Sequence, residues 1–304
     1  MAKGSGIIRK VAGKVGDLVY FVRGGQQIIR GVSTSTKNPR TDAQMMQRMK
    51  WPNVLAVYKV LQPYMKDCFE NKSGGQTDYN RFMGINLNST PVYLEKDEVR
   101  LGAAIVAPYV ISQGSLPSIQ VSGATPATDI ALGTLTIGDA TTVAEFAQAV
   151  VQNNSGFRFG DQISFFKLRQ EEDSLDGYPY ITVSAIRVCL DPADTSTLRS
   201  VAPASGFSTV SGTLGTDAAL SGAGVAWVHS RSVDGKTHVS SQRLLVDNDL
   251  LEERASADML AAATRSYGGS NSVFIRPDGT SGDATTGGGA SSGEDDDSGQ
   301  GTFG

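Results

Sequence analysis

The chain has 304 residues, of which 39% are apolar and 19% charged, with 35 glycines and a net charge of −4. It is long enough for one large or two ordinary domains with real cores, and its light charge and many glycines suit a β-rich protein better than a helical enzyme. No apolar run reaches membrane-spanning length and the start MAKGSGIIRKVAGK lacks a signal-peptide core, so no membrane partner is expected and the cytoplasm is the expected location.

The net charge conceals an asymmetry. Between Met1 and Lys66 stand twelve basic residues against two acids, Asp17 and Asp42, a balance of +10, while the remainder carries 15 basic and 29 acidic side chains, or −14. Segments that differ this much in sign point to separate electrostatic tasks.

In chain order, Asp17–Arg23 and Gln26–Val32 are β-branched and aromatic runs around Gly24-Gly25, a strong hairpin signal because primed turns need positive φ. That loop pairs Arg23 with Gln26, Phe21 with Ile28 and Val19 with Arg30, and puts Leu18, Tyr20, Val22 and Ile29 on the opposite face, apolar enough to bury. Thr41-Asp42-Ala43-Gln44 reads as a capping box. The helix that follows keeps its rhythm through Met45, Met49, Val54, Tyr58, Leu61, Met65 and Phe69, with Pro52 and Pro63 predicting a kink or two consecutive helices. Thr77-Asp78 starts a further short helix.

From Asn88 the texture turns to short strands: Pro108–Ser112, Ser118–Val121, Asp129–Ile137, Gln162–Arg169 and Tyr180–Leu190. A second capping box, Thr142 with Glu145, opens a helix over Val143–Gln152. Asp234-Gly235 turns a hairpin between Gly224–Arg231 and Lys236–Val246, Leu250–Ser266 reads as helix, and Val273–Arg276 as a last strand. The expected fold is mainly β with a few helices (α+β): a basic hairpin–helix module over 1–87, a β-rich region over 88–277 of one or two β-sandwich-like units split near 191–206, and a disordered acidic tail over 278–304.

Chemistry is sparse. His229 and His238, the whole histidine complement, fall on one face of the late hairpin beside Trp227, Arg231 and Gln242, a poor metal set, and are expected to be partly exposed strand residues. The loop Glu171–Gly177 clusters four carboxylates without the EF-hand spacing. Cys68 and Cys189 lack partner spacing and are expected to be buried and unreactive. No nucleophile elbow, phosphate loop or dinucleotide fingerprint is present, so no catalytic residue, metal or cofactor is called for. What remains is the basic module. Arg23, Arg30, Lys37, Arg40, Arg48 and Lys50 are positioned to meet phosphates or an acidic protein surface, with Tyr20, Phe21 and Trp51 for stacking. Trp227, Tyr178 and Tyr180 offer an aromatic platform for a sugar or peptide, but buried packing explains them more simply.

The stretch GKVGDLVYFVRGGQQIIRG, then NPRTDAQMMQRMK, resembles the N-terminal signature of a domain-of-unknown-function family found in gut anaerobes and in their phages and mobile elements. The matching positions are Gly13-Lys14-Val15-Gly16, Gly25, Arg30, Asn38-Pro39, Thr41, Gln44 and Arg48, and the late hairpin GVAWVHSRSVDGKTHVSSQRLLV is similar to that family's final hairpin. The resemblance implies a β-rich, non-enzymatic protein whose genes neighbour phage structural genes, and it carries over no ligand residue. Two functions follow as expectations. One is a structural or assembly protein, virion-associated if phage-encoded, that binds itself or other assembly proteins through the basic module. The alternative is an accessory protein that holds single- or double-stranded nucleic acid there and recruits partners with its acidic tail.

Overall fold

The structure, a computed structural model, describes residues 2–3, 12–23, 25–33, 42–73, 75–89, 92–122, 129–201, 209–210, 213–214 and 222–267. The Thr41 cap, the strand expected at Val273–Arg276 and the tail from Asp278 lie outside these residues.

Strands β1 (Ala2–Lys3), β2 (Gly13–Val15), β3 (Leu18–Arg23) and β4 (Gln26–Gly31) form an antiparallel sheet in the order β1-β4-β3-β2. The hairpin register is the expected one, with Arg23 opposite Gln26, Phe21 opposite Ile28 and Val19 opposite Arg30. Gly25 turns it at φ 77°, which an L side chain adopts only with strain. The expected burial of one face is incomplete: Tyr20 and Ile29 are half-buried, but Leu18 is 42% and Val22 41% exposed. An apolar face is buried only where a second layer covers it. Among the described residues this sheet pairs with no strand of the body.

Helix α1 (Asp42–Leu61) runs through Pro52 and stops before Pro63, which sits in a 3₁₀ turn over Gln62–Tyr64. A proline costs about 3 kcal/mol in a helix interior. Burial of Met49, Val54, Val57 and Leu61, each at most 1% exposed, offsets that cost and keeps the helix whole. Helix α2 (Asp78–Ser89) is capped by Thr77, whose Oγ1 accepts the Asn80 N–H at 3.3 Å. Helix α3 (Lys96–Leu101) is announced by local chemistry rather than periodicity: Glu98 accepts the Glu95 N–H at 2.8 Å, and Gly102 closes the helix.

The next strands are shorter than their apolar runs suggest: β5 (Val110–Ser112), β6 (Val121–Ser122) and β7 (Asp129–Ile130). Beyond β7 the chain turns, with the Leu135 N–H bonded to the Leu132 carbonyl, and Leu132 and Ile137 fill space beside α4 (Val143–Asn153) instead of continuing a strand. The α4 capping box is formed as expected, Glu145 N–H to Thr142 Oγ1 at 3.2 Å and Thr142 N–H to Glu145 Oε2 at 2.8 Å.

The body is built on β8 (Gln162–Glu172) and β9 (Pro179–Cys189), followed by a short α5 (Leu198–Val201) and the two-residue strands β10 (Thr209–Val210) and β11 (Thr213–Leu214). Then come β12 (Ala223–Val233), β13 (Lys236–Val239), β14 (Gln242–Arg243), β15 (Leu245–Asp247), α6 (Asp249–Arg254) and α7 (Ala257–Ser266). The main sheet has the order β13-β12-β8-β9, with β15 also paired to β12. The α+β class is the one expected.

Both faces of this sheet are covered, so its strands read as near-continuous apolar runs. Phe166, Leu168, Ala226 and Val228 share one cluster with Val54, Val57 and Leu61 of α1, Phe82 of α2 and the segment Ala103–Ile111. Ile163, Phe165, Val225 and Trp227 face the other way, against Phe146 and Val150 of α4 and Ile119, Ile130 and Ile137. The segment between α3 and β5 is buried without a strand partner, so its backbone polar groups need side chains. Asn53 accepts the Ile105 N–H at 2.9 Å and donates to the Tyr109 hydroxyl at 2.7 Å. Asn86 bonds both the Val110 N–H and its carbonyl, and Gln170 accepts the Val106 N–H at 2.8 Å.

Candidate functional site

The N-terminal sheet presents two unlike faces. Alternation and register place Lys14, Val19, Phe21, Arg23, Gln26, Ile28 and Arg30 on one, and Val15, Leu18, Tyr20, Val22 and Ile29 on the other. On the first, the Arg30 guanidinium carbon lies 5.9 Å from the Phe21 ring centroid, a cation–π arrangement. Among the described residues no ion pair engages Lys14, Arg23 or Arg30, so nothing there cancels their charge. The second face is apolar and open, with Val15 63% exposed.

The other expected site residues are distributed. Arg48 and Trp51, three residues apart on α1, share a helix side and are exposed, while Lys50 is half-buried. Tyr20 and Phe21 occupy opposite sheet faces and form no joint stacking platform. Lys37 and Arg40 lie outside the described residues. Packing accounts for the remaining aromatics, as expected: Trp227 is 1% exposed in the core, and Tyr178 and Tyr180 pack on each other at 6.3 Å.

His229 corrects the expectation of two partly exposed histidines, since it is fully buried. Its Nδ1 lies 2.9 Å from the Pro117 carbonyl and its Nε2 2.9 Å from Asp161, with Phe157 stacked on the ring at 3.9 Å. Arg231 grips the same carboxylate with Nε and a terminal nitrogen, each at 2.6 Å. Burial pushes the Asp161 carboxyl up, but the Arg231 bonds, the Arg158 N–H and His229 outweigh it and hold it below the ordinary aspartate range. Both imidazole nitrogens face oxygen atoms of the protein itself. The cluster ties β12 to the Gly160–Asp161 turn. Asp161 is invisible to motif reading because it stands far from the histidine in sequence.

Glu70 is the second tie. It accepts the Val239 N–H at 2.7 Å and the Ser115 N–H at 3.1 Å, and His238, which is partly exposed, lies 3.6 Å away. Burial pushes its carboxyl up, and these bonds reverse the shift to leave it lowered. In the acidic loop, Asp173 accepts the Asp176 and Leu175 N–H groups, so it serves the turn. Among the described residues no group of three His, Cys, Asp or Glu is arranged to hold a metal ion. Burial pushes the Cys68 thiol up to about 12, whereas Cys189 is exposed, contrary to expectation. It falls at the end of β9, where the face carrying α1 is no longer covered.

Residues 9–150 match DUF6266, a family of unknown function. The match takes in the N-terminal sheet from β2 onward, α1 to α3 and most of α4, and it agrees with the resemblance of the N-terminal signature to an uncharacterised family. The late hairpin lies beyond it. No curated protein and no solved structure matches the chain. No helix among the described residues is long and apolar enough to cross a membrane.

Proposed function

We propose that this is a non-enzymatic assembly protein, of the kind encoded by phages or mobile elements, which joins copies of itself or neighbouring assembly proteins through its N-terminal sheet. The observation that carries this reading is the open apolar face, on which Val15 is 63%, Leu18 42% and Val22 41% exposed. Large apolar side chains grouped on one small surface contribute little to their own monomer and mark a contact surface. The partner is a second copy. A front segment, Met1–Lys66, with a balance of +10 meets a remainder of −14, which favours head-to-tail contacts that weaken with salt. Multi-angle light scattering at low and high salt tests this, with wild type and a Val15/Leu18/Val22→Thr triple variant. The expected result is a concentration-dependent oligomer that the variant and salt both dissolve. A strict monomer of the wild type at high concentration and low salt overturns it.

A second reading is favoured by the other face, where Lys14, Arg23 and Arg30 surround Phe21 with no acid opposing them among the described residues. Cations with an interleaved aromatic suit a nucleic-acid strand. Fluorescent single- and double-stranded oligonucleotides, titrated against wild type and an Arg23/Arg30/Arg40/Arg48→Ala variant, decide it. Affinity that is absent, or that survives the four substitutions, removes it.

A further inference from the structure

The main sheet changes character along the face that carries α1. The rung of Ala185, Phe166 and Ala226 is apolar. The next pairs Arg187 with Ser164 and Val228, and the one after pairs Gln162 with Ser230. At the same place the covering layer gives way from α1 to the turn around Met65 and Asp67, held at φ 58° at Asp67. Turn and sheet enclose a cleft of about 310 Å³. Its walls bring Lys66 and Tyr64 from the turn to Arg187, Ser164, Ser230 and Thr237, which lie on successive rungs of β9, β8, β12 and β13.

The charges in this cleft do not balance. Arg187 has one hydrogen bond among the described residues, Nε to Ser164 Oγ at 3.3 Å, and no carboxylate partner. Lys66 is exposed and forms no ion pair among the described residues. The rim acid, Asp67, faces Lys72 at 3.9 Å, and Arg231, which also borders the cleft, is held by Asp161. Two cations from separate elements therefore converge on hydroxyl donors, above a floor of Phe166, Val228 and Val239. Guanidinium, ammonium and hydroxyl donors around one space recognise an oxyanion, and the apolar floor accepts a short carbon skeleton.

We propose that this cleft binds a small polar molecule bearing an oxyanion, a phosphate monoester or a carboxylate. The site is separate from the N-terminal sheet and stands whichever reading of that sheet holds.

Isothermal titration calorimetry of the full chain tests it, with glycerol 3-phosphate and glycerate as anionic probes and glycerol as the neutral control, at low and moderate salt. Saturable binding of either anion but not of glycerol is expected, and which anion binds identifies the group recognised. Arg187→Gln and Lys66→Gln each weaken that binding about tenfold, the loss expected of one charge-assisted contact. Both residues are exposed, so the melting temperatures of the variants stay at the wild-type value. No heat with either anion, equal binding of glycerol, or affinities unchanged in both variants overturns the proposal.

Discussion

Two antiparallel sheets in this chain obey the same pairing rules and differ in what covers them. In the body, Phe165 and Trp227 stand on neighbouring strands at 0% and 1% exposure, and helices or loops lie over both faces. In the N-terminal sheet the register is equally regular, yet Val15, Leu18 and Val22 remain open to solvent. Strand propensity and turn chemistry specify a hairpin, whereas burial needs a second layer. The body sheet finds that layer within its own chain. The described part of the N-terminal sheet finds no such layer, which is why we propose a partner for it.

The sharpest way to break this contrast is to empty one position in each sheet. Trp227→Ala removes a buried indole and is expected to cost about 3–5 kcal/mol, whereas Leu18→Ala at an exposed site costs less than about 1 kcal/mol. Urea denaturation of dilute protein measures both. A comparable loss at Leu18 would mean that the N-terminal sheet supports the core of its own chain.

The buried cluster comes next. Asp161→Asn leaves the Arg231 guanidinium and the His229 ring without their carboxylate, at a cost of about 3 kcal/mol typical of breaking a buried pair from one side. It also changes the response to acid. Asp161 and Glu70 both have folded carboxyl values held below the ordinary range. Near the ordinary values, about pH 4, the unfolded chain therefore binds more protons than the folded one. Their contribution is fully present above that point and is lost as pH falls through the depressed folded values. Denaturation midpoints measured between about pH 6 and pH 3 should fall more shallowly for Asp161→Asn than for wild type. Parallel slopes would show that the carboxylate does not carry this linkage.

How far the sequence goes is visible in particular residues. The hairpin register, both helix-opening signals at Thr77 and Thr142 and the Arg231–His238 pairing are local, and turn type or capping chemistry settles each of them. Burial of His229 and exposure of Cys189 depend on which layer ends up above each strand, and adjacent residues do not encode that. The ties made by Asp161 and Glu70 span 68 and 169 positions along the chain. Asn53, Asn86 and Gln170 act as substitute strand edges for Ala104–Val110, and a polar residue on a helix or a strand gives no warning of such a role. The basic module is half legible: its cations are countable and the turn sets Arg23 and Arg30 on the face opposite Leu18 and Val22, but the exposure of that apolar face is not written in the local sequence.

A milder test probes how closely the late hairpin sits against the rest of the body. A Cβ at Gly114 would lie 2.2 Å from the Val239 carbonyl and 2.4 Å from Glu70 Oε1, so Gly114→Ala must push this junction apart. Overpacking of this kind costs about 1–3 kcal/mol. Thermal unfolding reads the loss, and combining it with Glu70→Gln reads the coupling: the double variant should lose less than the two single changes together, because both act on one contact.

The smallest effect is expected at the hairpin tip. Gly25→Val places a β-branched residue at φ 77°, strained by about 1–2 kcal/mol. If the N-terminal sheet stands apart from the body, that strain loosens β3 and β4 alone. Amide exchange should then quicken across Leu18–Gly31, while the amides of β8 and β12 and the melting temperature stay at their wild-type values. The same substitution should weaken self-association, because a frayed hairpin no longer presents Leu18 and Val22 side by side. Faster exchange throughout β8 and β12 would instead join the two sheets into one cooperative unit, and the apolar face would then owe its conformation to the core beneath it rather than to a partner.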